Sequence, residues 1–164
     1  MTSFFSCLRC SRLWRFLRLS RGAQYQVCLI VLLLAKMRLK TKYQSSQQLF
    51  RVVPLPARDS SVNQFEIKPL VRRIQQMASL VWWRALCLEQ ALTLSELLQR
   101  QSTAHTLFIG VKRDQQTAFA AHAWITVSDE VVLGGPIEAY QVIARYPFLH
   151  ETHFDETRRP DRNH

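Results

Sequence analysis

Two residues in this chain have the types that nucleophilic acyl chemistry asks for. Cys87 heads the run CLEQALTLSELLQR, and His122 lies 35 positions later in FAAHAWITV. Such chemistry needs a thiolate to attack a carbonyl, a base to hold and return its proton, and hydrogen-bond donors for the oxyanion. A cysteine in the first turn of a helix meets part of that need, because the unpaired N–H groups and the helix dipole favour the thiolate. A histidine on a strand packed against that helix supplies the base. On residue types alone a quieter reading stands beside it, with Cys87 as a small core hydrophobe and His122 as a structural imidazole.

The elements that must position this pair are legible from periodicity. Cys87 to Arg100 contains no Gly or Pro, and Leu88, Ala91, Leu92, Leu94 and Leu98 form an apolar stripe. From Pro69 onward, Leu70, Ile74, Met77 and Val81 recur at helical spacing. Trp82 and Trp83 follow, and no stop signal between residues 80 and 87 marks where one helix gives way to the next. Downstream the period shortens to two. Thr106 to Val111 reads as a strand and 112–116 as a turn. Along 119–127, Phe119, Ala121, Ala123, Ile125 and Val127 share one face, and Ala120, His122, Trp124 and Thr126 share the other. Ser128-Asp129-Glu130 reads as a hairpin turn into Val131-Val132-Leu133, which Gly134, Gly135 and Pro136 interrupt. Residues 137–146 are expected to form a short helix, and 150–164 a polar tail.

Charge divides the chain. Its 164 residues carry a net charge of +10, yet residues 1–58 hold eleven Lys/Arg and no acid, whereas the remainder holds eleven Lys/Arg against all twelve Asp/Glu. The basic character therefore belongs to the N-terminal third. There, 4–19 mixes apolar residues with Arg9, Arg12, Arg15 and Arg18, and 23–41 reads as a second helix. The division expected is a basic helical region over 1–43, a polar linker with Pro54 and Pro56 over 44–68, the core over 69–149, and the tail. The longest apolar run, Val27 to Ala35, has nine residues, short of the roughly 20 that cross a bilayer. It also lies behind 26 residues with no small-residue cleavage site, so a secretory signal fits poorly. A cytoplasmic chain, with contact to a membrane surface as an option, is expected.

The runs CLEQALTLSELLQR, HTLFIGVKRD and FAAHAWITVSDEVVLGG, in that order, resemble the transglutaminase-like core of the microcin-processing proteins of lasso-peptide biosynthesis. The resemblance spans residues 80–136 and extends more loosely over 12–50. It implies an α+β fold of papain-like or transglutaminase-like type, with basic N-terminal helices ahead of a cysteine-bearing helix packed on a small antiparallel sheet. It also implies a cysteine peptidase that removes the leader from a ribosomally made precursor peptide. Cys87 maps onto the nucleophile, His122 onto the base, and the N–H of Cys87 onto an oxyanion donor, with no cofactor. The implied partners are the precursor, a small leader-recognition protein and a macrolactam-forming synthetase. A non-catalytic adaptor and an amine-accepting transglutaminase are the alternatives.

One position departs from the family pattern. An Asp is expected about a dozen residues after the histidine, where this chain has Gly134. Counting from a turn near Asp129 places the residue opposite His122 near 136. Asp129 itself lies roughly 23 Å along the strand at ~3.3 Å per residue, too far to orient the imidazole. Glu138 is the nearest acid downstream; otherwise a backbone carbonyl or a water must serve. Ser102 stands where a helix-ending Gly is usual.

Other constellations are thinner. Cys7-x-x-Cys10 has metal spacing but no second pair, and Cys28 stands alone. His150, His153 and Asp155 fall in the polar tail. Trp82, Trp83 and Trp124 suit substrate stacking or, more simply, the core. The N-terminal arginines lack an interleaved recognition motif, so nucleic acid is not the expected partner. They suit an acidic partner or anionic membrane, through a field that salt screens over ~8 Å at physiological ionic strength. Replacing Arg12, Arg15 and Arg18 with Gln should weaken partner association and flatten its salt dependence. The rate at saturating partner should stay unchanged, as titration calorimetry and kinetics across a salt series will show.

Overall fold

In a computed structural model of the chain, residues 20–44, 64–83, 85–112 and 119–148 are described. The expectations for 4–19, Cys7 and Cys10, the Pro54/Pro56 segment, most of the 112–116 turn, and His150 and His153 lie outside them. Three helices, α1 (Arg21–Tyr43), α2 (Gln64–Leu80) and α3 (Cys87–Arg100), precede four strands, β1 (His105–Lys112), β2 (Ala120–Val127), β3 (Glu130–Leu133) and β4 (Gln141–Phe148). The strands form one antiparallel sheet in the order β3-β2-β1-β4. The α+β expectation holds.

Helix α3 is the centre of the molecule. Ala91, Leu92, Leu94, Leu97 and Leu98 are buried, and so are Glu89, Thr93 and Ser95, so almost its whole circumference is covered. It packs on β2 and β1 on one side and on α1 and α2 on the other. Leu94 and Leu98 meet Leu107 and Ile125 in the common core. Burial of each such side chain is worth about 2 kcal/mol. Along the strand, Ala123, Ile125 and Val127 of the expected inward face are buried against the helices, whereas Phe119 and Ala121 are exposed and Trp124 of the other face is buried.

Helix α1 is 23 residues long and by length and composition alone could cross a membrane, more than the nine-residue apolar run suggested. The difference arises because polar residues flanking that run are helical too. Its Ile30, Leu33, Leu34 and Met37 recur at helical spacing and are buried against α2 and α3. Ion pairs fasten it further. Lys36 meets Glu96 at 2.7 Å, with Arg100 on the same carboxylate at 2.7 Å. Burial raises the Glu96 pKa, but the two cations outweigh it and hold the carboxyl below its usual value. Thus α1 packs into the same core as α3.

Two elements differ from expectation, and one boundary left open is now placed. Helix α2 begins at Gln64, inside the segment read as linker, and carries Pro69 in its second turn. Its buried stripe is Ile67, Val71, Ile74 and Ala78, with Leu70 and Met77 only flanking it. The 137–146 segment is not helical: Gln141–Phe148 is a strand that completes the sheet along β1. Its β-branched Val142 and Ile143 fit that pairing. The break between α2 and α3 falls at 81–86.

Ser102 does the work of the missing glycine. It takes φ +52°, its N–H reaches the Gln99 carbonyl, and the Thr103 N–H reaches Leu98 at 2.9 Å, the paired bonds of a Schellman ending. The chain then turns directly into β1 at His105. This imidazole is 2% exposed, donates from Nδ1 to the Thr103 carbonyl at 2.8 Å and accepts from the Ser95 hydroxyl at Nε2, also 2.8 Å. It stacks on Phe148, 4.7 Å between centroids. No sequence feature had singled it out.

Burial pushes the His105 pKa down to about 4, against a smaller opposing pull from the Thr103 carbonyl. The unfolded chain therefore binds a proton below pH ~6.5 that the folded one refuses until about pH 4. Stability should be complete above ~6.5 and fall by roughly 3 kcal/mol as pH drops to ~4. Urea denaturation between pH 4 and 8 should show this slope, and His105→Gln should flatten it.

Candidate active site

Cys87 is the first residue of α3, and three interactions fix where that helix begins. The Glu89 carboxylate accepts from the Leu86 N–H at 3.2 Å. It also pairs with Arg38 of α1 at 3.0 Å while itself almost fully buried. Leu86 has no side-chain acceptor to return the favour, so this is half a capping box. The Gln90 side-chain amide donates to the Ala85 carbonyl at 2.9 Å, holding the approach to the helix. The first intrahelical bond runs from the Gln90 N–H to the Leu86 carbonyl, so the N–H of Cys87 lies among the donors a helix start leaves unpaired.

His122 is held from the opposite side. Its Nε2–H donates to the Gly134 carbonyl at 2.6 Å. A carbonyl can only accept, so the neutral ring carries its proton on Nε2 and leaves Nδ1 as the basic nitrogen. The ring is packed by Tyr140, 5.0 Å between centroids, and Trp124, 6.3 Å. Trp124 in turn stacks on Phe108 at 5.5 Å. Gly110, the cross-strand partner of His122, makes room for this indole, since a Cβ there would lie 2.7 Å from the ring.

The place where the family pattern asks for an Asp is thus occupied by a backbone carbonyl. Gly134 sits at φ +92°, and a Cβ on it would come within 2.7 Å of the Ala123 oxygen and of the Trp124 Cβ. A carboxylate side chain has no space here. Glu138 is exposed, and no hydrogen bond joins it to His122 among the described residues. Of the alternatives the sequence left open, the backbone carbonyl is the one found, and it belongs to Gly134 itself.

Cys87 and His122 line one cavity of about 460 Å³, together with Gly134, Gly135 and Gln90. No direct hydrogen bond joins the two side chains among the described residues; they share the cavity wall. Catalytic contacts of this kind commonly close only around substrate. The cavity lies where the start of α3 and one face of α2 meet the β2–β3 hairpin. None of these three tryptophans lines it: Trp82 is 90% exposed and meets Trp83 edge to face at 5.7 Å, while Trp83 packs on the core. Trp124 is buried, as the second reading of that residue anticipated.

The geometry of Gly134 generates a sharp expectation. Gly134→Ala should lower stability by about 1–2 kcal/mol, the cost of a non-Gly residue at positive φ, with the close contacts adding to it. It should also shift the carbonyl away from His122. Nitrogen NMR of the His122 ring should report loss of the single Nε2–H tautomer.

Comparison with known proteins bears on this arrangement. No curated protein and no solved structure matches the chain significantly. A family model, that of the transglutaminase-like superfamily, matches residues 29–145. The match begins within α1, which agrees with that helix packing into the core, and runs through both site residues to β4. Members of this superfamily are often cysteine hydrolases or transferases, and a match over most of the chain places this protein in the transglutaminase-like superfamily.

Proposed function

We propose that the protein is a cysteine peptidase that removes the leader from a ribosomally made precursor peptide, as in lasso-peptide maturation. The observation that carries the catalytic part is the shared cavity of Cys87, at a helix start, and His122, fixed through Nε2 by the Gly134 carbonyl. The choice of substrate rests on the likeness of the CLEQALTLSELLQR, IGV and AHAW segments to the leader-processing proteins.

The reaction is acyl transfer to water. The Cys87 sulfur attacks the carbonyl carbon of the leader–core bond, and the oxyanion is met by the N–H of Cys87. His122 takes the Cys87 thiol proton on Nδ1 as the sulfur attacks and then gives it to the departing amine, leaving the leader as a thioester on Cys87. It then takes a proton from water, whose oxygen attacks the thioester and releases the leader acid and the free thiol. The Gly134 carbonyl keeps the ring plane and tautomer constant through both halves. It does so without adding a formal charge, so the imidazolium formed in transit has less electrostatic support than a carboxylate would supply. The proposal includes a leader-recognition protein and a macrolactam-forming synthetase acting nearby.

The test is cleavage of a synthetic precursor peptide of the lasso-peptide type, with a leader-binding protein present, followed by mass spectrometry. Cys87→Ala and His122→Ala should each abolish cleavage with folding intact by circular dichroism. The double variant should be little worse than either, because residues acting as a unit fail together. Adding hydroxylamine separates acceptors: a hydrolase still yields mostly the free leader acid. A Cys87→Ala protein that still cleaves would overturn the nucleophile assignment.

A further inference from the structure

Helix α1 gives only part of its circumference to the core. Ile30, Leu33, Leu34 and Met37 are buried against α2 and α3, and the opposite side is left open. On that side Tyr25, Leu32, Leu39 and Tyr43 are between 58% and 72% exposed. Their spacing sets them on one stripe of the helix, with the exposed Cys28 beside them. A tyrosine closes each end of the stripe, ~27 Å apart at ~1.5 Å per residue.

Charge accompanies the stripe. Helix α1 carries Arg21, Lys36, Arg38, Lys40 and Lys42 and no Asp or Glu. Lys36 and Arg38 are engaged with Glu96 and Glu89. Arg21, Lys40 and Lys42 form no ion pair among the described residues. By helical periodicity Arg21 falls on the stripe and the two lysines flank it on either side. The Lys42 ammonium also lies 5.4 Å from the centroid of the Tyr43 ring.

This pattern chooses the occupant. A second copy of the chain would set like charges against like. Residues 1–20 carry Arg9, Arg12, Arg15 and Arg18 and no acid, so they would do the same. None of the stripe residues lines the Cys87–His122 cavity or the smaller one beside His105 and Arg145. A ridge without pockets gives a protein partner's anchoring side chains nothing to fill, whereas a fluid bilayer conforms to it. We infer that the exposed stripe of α1 lies flat on an anionic membrane surface. Its tyrosines and leucines enter the boundary between headgroups and acyl chains, and its cations meet the lipid phosphates. The buried face and the ion pairs hold α1 in the domain, so the helix docks without crossing, although its length and composition would allow a crossing. The inference stands apart from the reaction proposed at Cys87.

Sedimentation with vesicles tests this on the full chain. Vesicles of equal phosphatidylglycerol and phosphatidylcholine should bind it at least about tenfold more tightly than pure phosphatidylcholine, and the difference should shrink as salt rises. Leu32→Gln/Leu39→Gln should weaken binding to the anionic vesicles by roughly tenfold. Circular dichroism should stay unchanged, since both side chains are solvated in the unbound protein. No excess binding to anionic vesicles at low salt overturns the inference and leaves an acidic protein as the partner for this face.

A probe on the stripe separates α1 from the arginines that precede it. In a Cys7→Ser, Cys10→Ser, Cys87→Ala variant, an environment-sensitive fluorophore on Cys28 should shift to the blue on anionic vesicles. A nitroxide near the headgroup should quench it more than one at the acyl-chain end. Should the leucine variant fail to fold, this probe decides the matter. Vesicle binding with unmoved Cys28 emission shows the arginines of 1–20 binding alone and overturns the inference. Stronger quenching from the acyl-chain end shows a helix that crosses the bilayer and overturns it as well.

Discussion

The structure hangs on one buried carboxylate. Glu89 closes the start of α3 by accepting from the Leu86 N–H and reaches across to Arg38 on α1. A lone carboxylate at this depth would be costly, and here it is matched by a cation and an N–H together. Arg38 is itself half exposed, so the pair contributes less to stability than a fully buried one. Its value is positional. It ties the first turn of the central helix, and hence Cys87, to a residue 51 positions earlier in the chain. That is why α1 behaves as part of the transglutaminase-like domain despite its basic and apolar composition.

The opposite wall of the site depends on glycine. Gly110 admits the Trp124 ring, and Gly134 lets the chain after β3 approach β2 closely enough for its carbonyl to meet His122. The imidazole thus has a fixed tautomer, ring packing from Tyr140 and Trp124, and an orienting acceptor. The function usually served by a carboxylate side chain is here met by main-chain geometry. The exchange keeps orientation and gives up charge.

A second histidine, His105, at the other end of β1 from the position opposite His122, shows how differently the same side chain is used in the core. It is sealed between Ser95, the Thr103 carbonyl and Phe148, and burial keeps it neutral. Its Ser–His contact has the residue types of a catalytic pair and none of the access. It joins the end of α3 to the start of β1, so that the helix bearing Cys87 and the sheet bearing His122 share one rigid junction. Residue type is therefore a poor guide to role without burial.

The sequence by itself determined most of the local elements and singled out a candidate pair. Uninterrupted apolar periodicity over 87–100, alternation over 119–127 and a polar turn at 128–130 are short-range signals, and α3, β2 and the β2–β3 hairpin follow them. Cys87 and His122 stood out because thiol and imidazole chemistry is carried by side-chain type. What tertiary structure alone decided are the features that depend on partners distant in the chain. β4 reads locally as helix until β1 offers it an edge, and α1 reads as a basic appendage until Glu89 and Glu96 meet its cations. Likewise the acceptor for His122 is a main-chain oxygen, which every residue possesses. Only the positive φ of Gly134 and its close approach to β2 aim that oxygen at the ring, and no pattern of side chains encodes such a direction.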